Sequence, residues 1–337
     1  MTIVTLGLDL GKNWVHMVGL DADGRIVLRR CVRRDRETVD MSPCLIGMEA
    51  CCGAHHLGRA LAAQGHTARL MPPQYVKRFV KSNKNDHRDA EAAAEAVQRP
   101  TMRFVPLKNE AQLDLQTIHR IRQRLVGRRT ALINQLRAIL LERGITVPQR
   151  RRILELRLRA ILADEPSPLS ARIRHLIEDM RAEWRDLDAR IAAFDAKLTA
   201  KARQDDACRR LCEIPGIGAL NATALVAAVG DGPVFDRGRD MAAWLGLVLR
   251  EYSTGGKQRL LGISKRGNKY LRTLLIHGAR AALPYLAARD DRLGSWLRAL
   301  LARVHRNIAI VGLANKLARI AWAVLANGRR YAAPAAA

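Results

Sequence analysis

Aromatic side chains are scarce in this chain, only 4% of its 337 residues, so its interior cannot be organised around stacked rings. Hydrophobic residues still make up 48%, and the core must be assembled from Ala, Leu, Ile and Val. Acids are also in short supply: 32 Asp and Glu face 58 Lys and Arg, a net charge of +26. A polyanionic partner follows from that excess. Nucleic acid is the expected one, because Arg predominates and its guanidinium matches phosphate bidentately.

The six cysteines (Cys31, Cys44, Cys51, Cys52, Cys208, Cys212) form no disulfide framework, which fits a reducing compartment. Cys51-Cys52 and His55-His56 do not spell a zinc centre: ligands crowded on one short helix cannot surround a tetrahedral ion, and packing is their expected role. The most apolar C-terminal stretch is interrupted by Lys316 and Arg319, so no membrane span is expected. No basic segment leads into an apolar one at the N-terminus, so no signal peptide is expected either, and a cytoplasmic location follows.

Four acids stand out against this basic background. Asp9 ends the strand-like run Ile3-Val4-Thr5-Leu6-Gly7-Leu8-Asp9, and Glu49 ends Cys44-Leu45-Ile46-Gly47-Met48-Glu49. Asp86 and Asp89 lie in Asn85-Asp86-His87-Arg88-Asp89-Ala90-Glu91-Ala92-Ala93, an Ala-rich helical stretch, where a spacing of three puts both on one face. Taken singly, each acid reads as a turn, cap or dipole-complementing residue. Taken in order, they read as carboxylates converging on a cation, and oxygen ligands favour a hard ion such as Mg²⁺. In so basic a chain, such an ion suggests phosphodiester chemistry on nucleic acid.

The length allows about two or three domains. Residues 1–105 read as α/β, with strands at 2–9, 14–20, 25–31, 44–49 and 67–71, a hairpin turn at Asp23-Gly24, and a helix over 53–64. Three strands in meander followed by alternating helix and strand predict an RNase H-like (RuvC-like) domain. Residues 106–205 read as a helical coiled-coil region. Ile173, Ile177, Met180, Trp184, Leu187, Ile191, Phe194 and Leu198 form a seam, and the break at Ala163–Pro168 separates two long helices. That seam fits either a hairpin within the chain or pairing with another subunit. Arg122, Arg124, Arg128 and Arg129 on the first long helix are candidate phosphate contacts.

Residues 206–326 read as a second, mostly helical folded unit, followed by a disordered tail over 327–337. Ile214-Pro215-Gly216-Ile217-Gly218 resembles a helix-hairpin-helix turn, where Gly216 and Gly218 would expose N–H groups to a phosphate. Arg250–Arg259 and Gly262–Asn268, dense in Gly, Ser and basic residues, predict a flexible phosphate-contacting loop with Lys257, Arg259, Lys265 and Arg266. Helices over 269–287 and 293–326 are expected to close the unit.

These motifs, nearly end to end, resemble the DEDD-type transposases of bacterial insertion sequences, the IS110 family and within it the IS1111 subgroup. Gly7–Lys12 and Gly47–Cys51 match the first two acidic motifs, Lys84–Ala90 the Asp-x-x-Asp motif, and Ile214–Gly218 through Ser264–Asn268 the C-terminal transposase domain. The resemblance implies Mg²⁺ bound by Asp9, Glu49, Asp86 and Asp89, with a serine of the C-terminal domain attacking DNA to give a phosphoserine linkage. It also implies a structured guide RNA encoded by the element, and homodimers assembling into homotetramers. Ser253, in Tyr252-Ser253-Thr254-Gly255, is the expected nucleophile, and Ser264 is the alternative, with a helix N-cap as its structural role.

Two rival readings remain on the residues alone. A RuvC-type Holliday-junction nuclease would use the same acids with water as nucleophile, but would need neither the serine loop nor a second unit of this size. A non-catalytic nucleic-acid-binding protein gives no reason for four ordered acids.

Overall fold

A computed structural model describes residues 2–35, 41–81, 85–164, 169–230 and 234–332. They cluster into two compact units, Met1–Glu110 and Ala111–Ala337. Lys84, residues 165–168 of the expected helix break, and residues 333–337 of the expected tail lie outside the described residues.

In the first unit, short apolar runs bounded by turns give β1 (Thr5–Leu10), β2 (Trp14–Leu20), β3 (Ile26–Arg33), β4 (Leu45–Glu49) and β5 (Thr67–Met71). The sheet order is β3-β2-β1-β4-β5: β1 to β3 run antiparallel, while β4 and β5 run parallel to β1. The carboxylate of Asp21 closes the β2–β3 turn, accepting from the N–H groups of Asp23 and Arg25 at 3.0 and 2.8 Å. Helices α1 (Ala54–Ala63), α2 (Pro73–Val76) and α3 (Asp86–Val97) complete the unit. Cys51 and Cys52 precede α1 rather than lying within it, and His55 Nδ1 accepts from the Lys108 N–H at 3.2 Å.

Alternation assigns the two faces of the sheet. Leu6, Leu8, Ile46 and Met48 point to one side and pack with Leu57 and Leu61 of α1. Gly7 and Gly47 point to the other and are register partners on adjacent parallel strands. Helix α3 lies directly on them with its face of small residues. A Cβ added at Gly7 would fall 1.9 Å from the Ala90 carbonyl oxygen, and one at Gly47 would fall 2.6 Å from Val97 Cβ. Glycine is required there because backbone meets backbone.

The second unit opens with α4 (Glu110–Leu141), α5 (Arg151–Ala163) and α6 (Ala171–Gln204). The expected pair of long helices is thus three. Gly144, at φ 72°, ends α4 early, the N–H groups of Gly144 and Ile145 return to the Leu141 and Leu140 carbonyls, and Pro148 follows. The seam of α6 is covered within the chain: Ile177, Trp184, Leu187 and Ile191 pack against Leu125, Leu132 and Leu136 of α4 and Leu154 and Leu158 of α5. Ion pairs run antiparallel along α4 and α6, Arg122 with Asp195 at 2.5 Å and Arg129 with Asp188 at 2.6 Å.

The chain continues through α7 (Asp206–Cys212), α8 (Ala219–Val229), α9 (Gly238–Trp244), β6 (Leu249–Glu251), β7 (Leu260–Ile263), α10 (Lys269–Ala287), α11 (Arg292–Leu301) and α12 (Arg306–Asn327). The helix expected over 293–326 is two helices, because the His305 ring accepts from the Asn307 N–H at 3.2 Å and starts α12 anew. Leu115 of α4 and Leu198 of α6 pack with Ala227 of α8, tying the hairpin to the C-terminal helices. Among the described helices α12 alone is long and apolar enough to cross a membrane, and Ile310, Leu313, Leu317 and Ala321 bury its apolar face in the core of this unit. Tyr331, just beyond α12, packs against the same core.

Candidate active site and nucleic-acid interface

Asp9 and Glu49 each follow a floor glycine by two residues, so both carboxylates leave the sheet on the side that α3 covers. Asn85 caps α3, its side chain accepting from the His87 N–H at 3.0 Å, which places Asp86 in the first turn of the helix. Asp9 and Asp86 thereby converge with His16: one ligand atom from each lies within 4.8 Å of the others. His16 is the register partner of Asp9 across β1 and β2, and its Nδ1 is 3.8 Å from Asp86 Oδ2. That nitrogen is buried and makes no hydrogen bond, and the ring packs edge-on against His87 at 4.9 Å.

Glu49 and Asp89 stand outside this tight group, so the structure brings together two of the four expected acids and adds a histidine. Glu49 ends the strand beside Asp9, and both charges act on one neighbour. The Cys51 thiol is held above its ordinary range chiefly by desolvation; Arg34 opposes this, while Glu49 and Asp9 add to it. Two carboxylates and an imidazole with an unsatisfied buried nitrogen suit a divalent cation. His16 escaped sequence reading because its signal is register. Only pairing β1 with β2 across their tight turn puts it opposite Asp9.

The loop expected to be flexible is a β-hairpin. Gly255 and Gly256, at φ 55° and 75°, form its two-residue turn, which calls for positive φ at both positions. The Lys257 N–H closes it onto the Thr254 carbonyl at 3.0 Å. Ser253 is exposed on this hairpin, its Oγ donating to Glu251 Oε1 at 2.6 Å and accepting from the Arg259 N–H at 3.4 Å. Ser264 is not a helix cap. Its N–H extends the ladder to the Val248 carbonyl at 2.7 Å, and Asn268 caps α10 by accepting from the Leu271 N–H at 3.2 Å.

Lys257, Arg259, Lys265 and Arg266 are all exposed around this hairpin. Lys265 sits at φ 53°, and the turn it belongs to is held from below by Arg272. That buried guanidinium donates to the Leu245 carbonyl at 2.9 Å and the Arg266 carbonyl at 3.4 Å, a supporting role no local motif announces. Gly216 and Gly218 part company. Gly216, at φ 92°, abuts α10, and a Cβ there would fall 2.9 Å from the Gly278 carbonyl, so packing explains it. Gly218 is exposed at the start of α8 with open space around it. On α4, Arg122, Arg128 and Arg129 face Asp195, Glu183 and Asp188 of α6, while Arg124 is exposed.

A strongly basic chain with a carboxylate–histidine cluster on a sheet and a basic serine hairpin is built to act on nucleic-acid strands. Comparison makes the class definite. A DEDD profile described as transposase matches residues 6–144, which hold all four acids, so the enzyme is a DNA transposase. A second profile, described as "Transposase IS116/IS110/IS902 family", matches residues 208–291, which hold both serines.

Similar proteins agree along the whole length. A probable family 20 transposase of Pseudomonas aeruginosa is 45% identical over 335 residues, 98% of this chain and 99% of its own. The transposase of insertion sequence element IS1111A from Coxiella burnetii is 42% identical, covering 98% and 91%. That of IS1328 from Yersinia enterocolitica is 40% identical, covering 97% and 98%. The chain belongs to the IS110 family of insertion-sequence transposases.

Proposed function

We propose that this transposase cuts and rejoins DNA through a covalent Ser253–DNA phosphodiester, with Mg²⁺ held by Asp9, Glu49, Asp86 and Asp89. The convergence of Asp9 and Asp86 carries the reading, because two carboxylates from separate elements meet at the end of parallel strands. The strand order β3-β2-β1-β4-β5 supports an RNase H-like first unit. When bound, the ion would neutralise charge on the phosphate and increase the acidity of a coordinated hydroxyl.

The chain's own residues supply the rest. Ser253 Oγ forms a bond to phosphorus as the P–O bond to the displaced strand breaks; the serine proton passes to the Glu251 carboxylate it already faces at 2.6 Å, and the displaced oxygen takes a proton from solvent water to leave as a hydroxyl. Lys257 and Arg259 flank the serine and can screen the non-bridging oxygens. Attack by another strand's hydroxyl then frees Ser253 and joins the strands. His16 adds a nitrogen donor to the acidic site. Direction by a structured RNA of the element, assembly of dimers into tetramers, and a cytoplasmic location enter through the resemblance. Since the α6 seam is covered within the chain, we assign subunit contacts to other surfaces.

Trapping the reaction on element-end DNA tests the chemistry. Wild-type protein should retain a strand through denaturation, with mass spectrometry placing it on the peptide Glu251–Lys257. Ser253→Ala should lose the adduct and Ser264→Ala should keep it, while Asp9→Asn should lose cleavage but still bind DNA. An adduct that survives Ser253→Ala and vanishes in Ser264→Ala would reverse the serine assignment. Efficient cleavage with no adduct would make water the nucleophile.

A further inference from the structure

We propose that the groove between α9, α11 and α12 binds an unpaired nucleotide of single-stranded nucleic acid, the base against indole and the phosphate against lysine and arginine. The proposal rests on the chain's action on nucleic acid and on neither the acidic site nor Ser253. The groove has a volume of about 890 Å³, within the range of roughly 300–1,000 Å³ typical of small-ligand sites. It is lined by Arg237, Arg239, Trp296, Lys316, Arg319 and Trp322, and no lining residue is acidic.

The cations and rings are arranged together rather than scattered. Lys316 Nζ sits 4.3 Å from the centre of the Trp296 ring. Its amine is held below the ordinary lysine range by burial first and then by the charge of Arg319. Trp322 is fixed by its Nε1–H, which donates to the Phe235 carbonyl at 2.8 Å. Gly312, one helical turn before Lys316, adds no side chain of its own beside the Trp296 ring. Arg237 is braced by Asp240 at 3.3 Å, whereas Arg319 is exposed at the groove.

This combination selects among anions. A free phosphate would use the cations and leave two indoles without purpose. A duplex would meet the cations, but its bases are stacked on one another and offer no free face. An unpaired nucleotide supplies both an aromatic face and a phosphate, and stacking on a side-chain ring is the general device for holding one. DNA and RNA share this chemistry.

The test uses the full chain without divalent metal, titrated by fluorescence anisotropy with labelled oligo-dT, labelled oligo-U and a blunt DNA duplex. Trp296→Leu should weaken single-strand binding by roughly 5- to 150-fold, the range of a lost base–aromatic stack, and leave duplex binding unchanged. Trp296→Phe should retain most of the affinity. Lys316→Gln should flatten the salt dependence for single strands by roughly 0.7 in slope, one phosphate contact. Photocrosslinking of 5-iodouracil strands should label the peptide bearing Trp296, and whichever of dT or U binds tighter identifies the source. Unchanged single-strand affinity in both Trp296→Leu and Lys316→Gln would overturn the proposal, as would equal weakening for the duplex or a folded Trp296→Phe as weak as Leu. Because cleavage and adduct formation are not read here, this failure would be distinct from a failure of the serine chemistry.

Discussion

At His119 both ring nitrogens are committed, Nδ1 to the Tyr270 hydroxyl at 3.0 Å and Nε2 to Thr223 Oγ1 at 3.1 Å. Burial, followed by the charge of Arg122, lowers its pKa from 6.5 to about 4. Between those values the unfolded chain binds the extra proton and the folded one does not. Stability contributed by neutral His119 is therefore full above pH 6.5 and lost as pH falls toward 4, at no more than about 1.4 kcal/mol per pH unit. His119→Gln should remove that part of the acid sensitivity, so urea midpoints at pH 7 and pH 4.5 should differ less in the variant than in wild type. An identical difference would mean that other groups set the acid limit. The residue scale also shows what a linear reading omits. Asp9 and Asp86 were legible from strand ends and an Ala-rich helix, whereas His16 needed strand register and Arg272 needed the fold of α10 against the turn it supports.

Elements were legible wherever one periodicity ran without interruption. β1 follows apolar alternation, the other strands of the first unit follow short apolar runs, and α10 follows helical spacing from Asn268 onward. Breaks were less legible, because Gly144 and His305 stop helices through single main-chain or side-chain bonds that leave the apolar spacing intact on either side. The hairpin around Ser253 was read as a loop because its strands are only three and four residues long, with β6 fully exposed and β7 half-buried at alternate residues at most, too short to show a period. The contact of α3 with β1 gives an element-scale prediction. Gly7→Ala must push α3 off the sheet, since its Cβ would overlap the Ala90 carbonyl oxygen. The expected cost is roughly 1–3 kcal/mol in the first unit. Folded Gly7→Ala should also bind divalent metal more weakly by calorimetry, because α3 carries Asp86 away from Asp9. Metal affinity equal to wild type in a destabilised variant would show that the acids do not depend on this contact.

For the whole molecule, the net charge of +26 overstates what is free to meet nucleic acid. Arg122 and Arg129 are turned into α6 and partly buried against Asp195 and Asp188, while Arg124 faces solvent. Binding to DNA should weaken with salt, at a slope of roughly −0.7 to −0.9 per phosphate contact. Arg124→Ala should reduce that slope by about one contact. Arg129→Ala should leave the slope nearly unchanged and lower the melting temperature instead, since Asp188 beside the hairpin seam would keep only Arg151 of its two partners. The reverse ranking would mean that these arginines exchange α6 for phosphate when DNA arrives. Composition predicted the polyanion correctly, but which arginines serve it was decided by pairing along α4 and α6, invisible before the hairpin was known.

The paired glycines beneath α3 have one more consequence. Most active-site dimensions are set by side chains that can change rotamer, so they carry some play. Here the helix bearing Asp86 rests on bare main chain at Gly7 and Gly47, and main chain has no rotamer to give. The spacing between Asp9 and Asp86 is thus a fixed gauge, cut to the thickness of a helix and a strand. Any strand on which the proposed metal site acts would meet the same gauge, whatever its sequence.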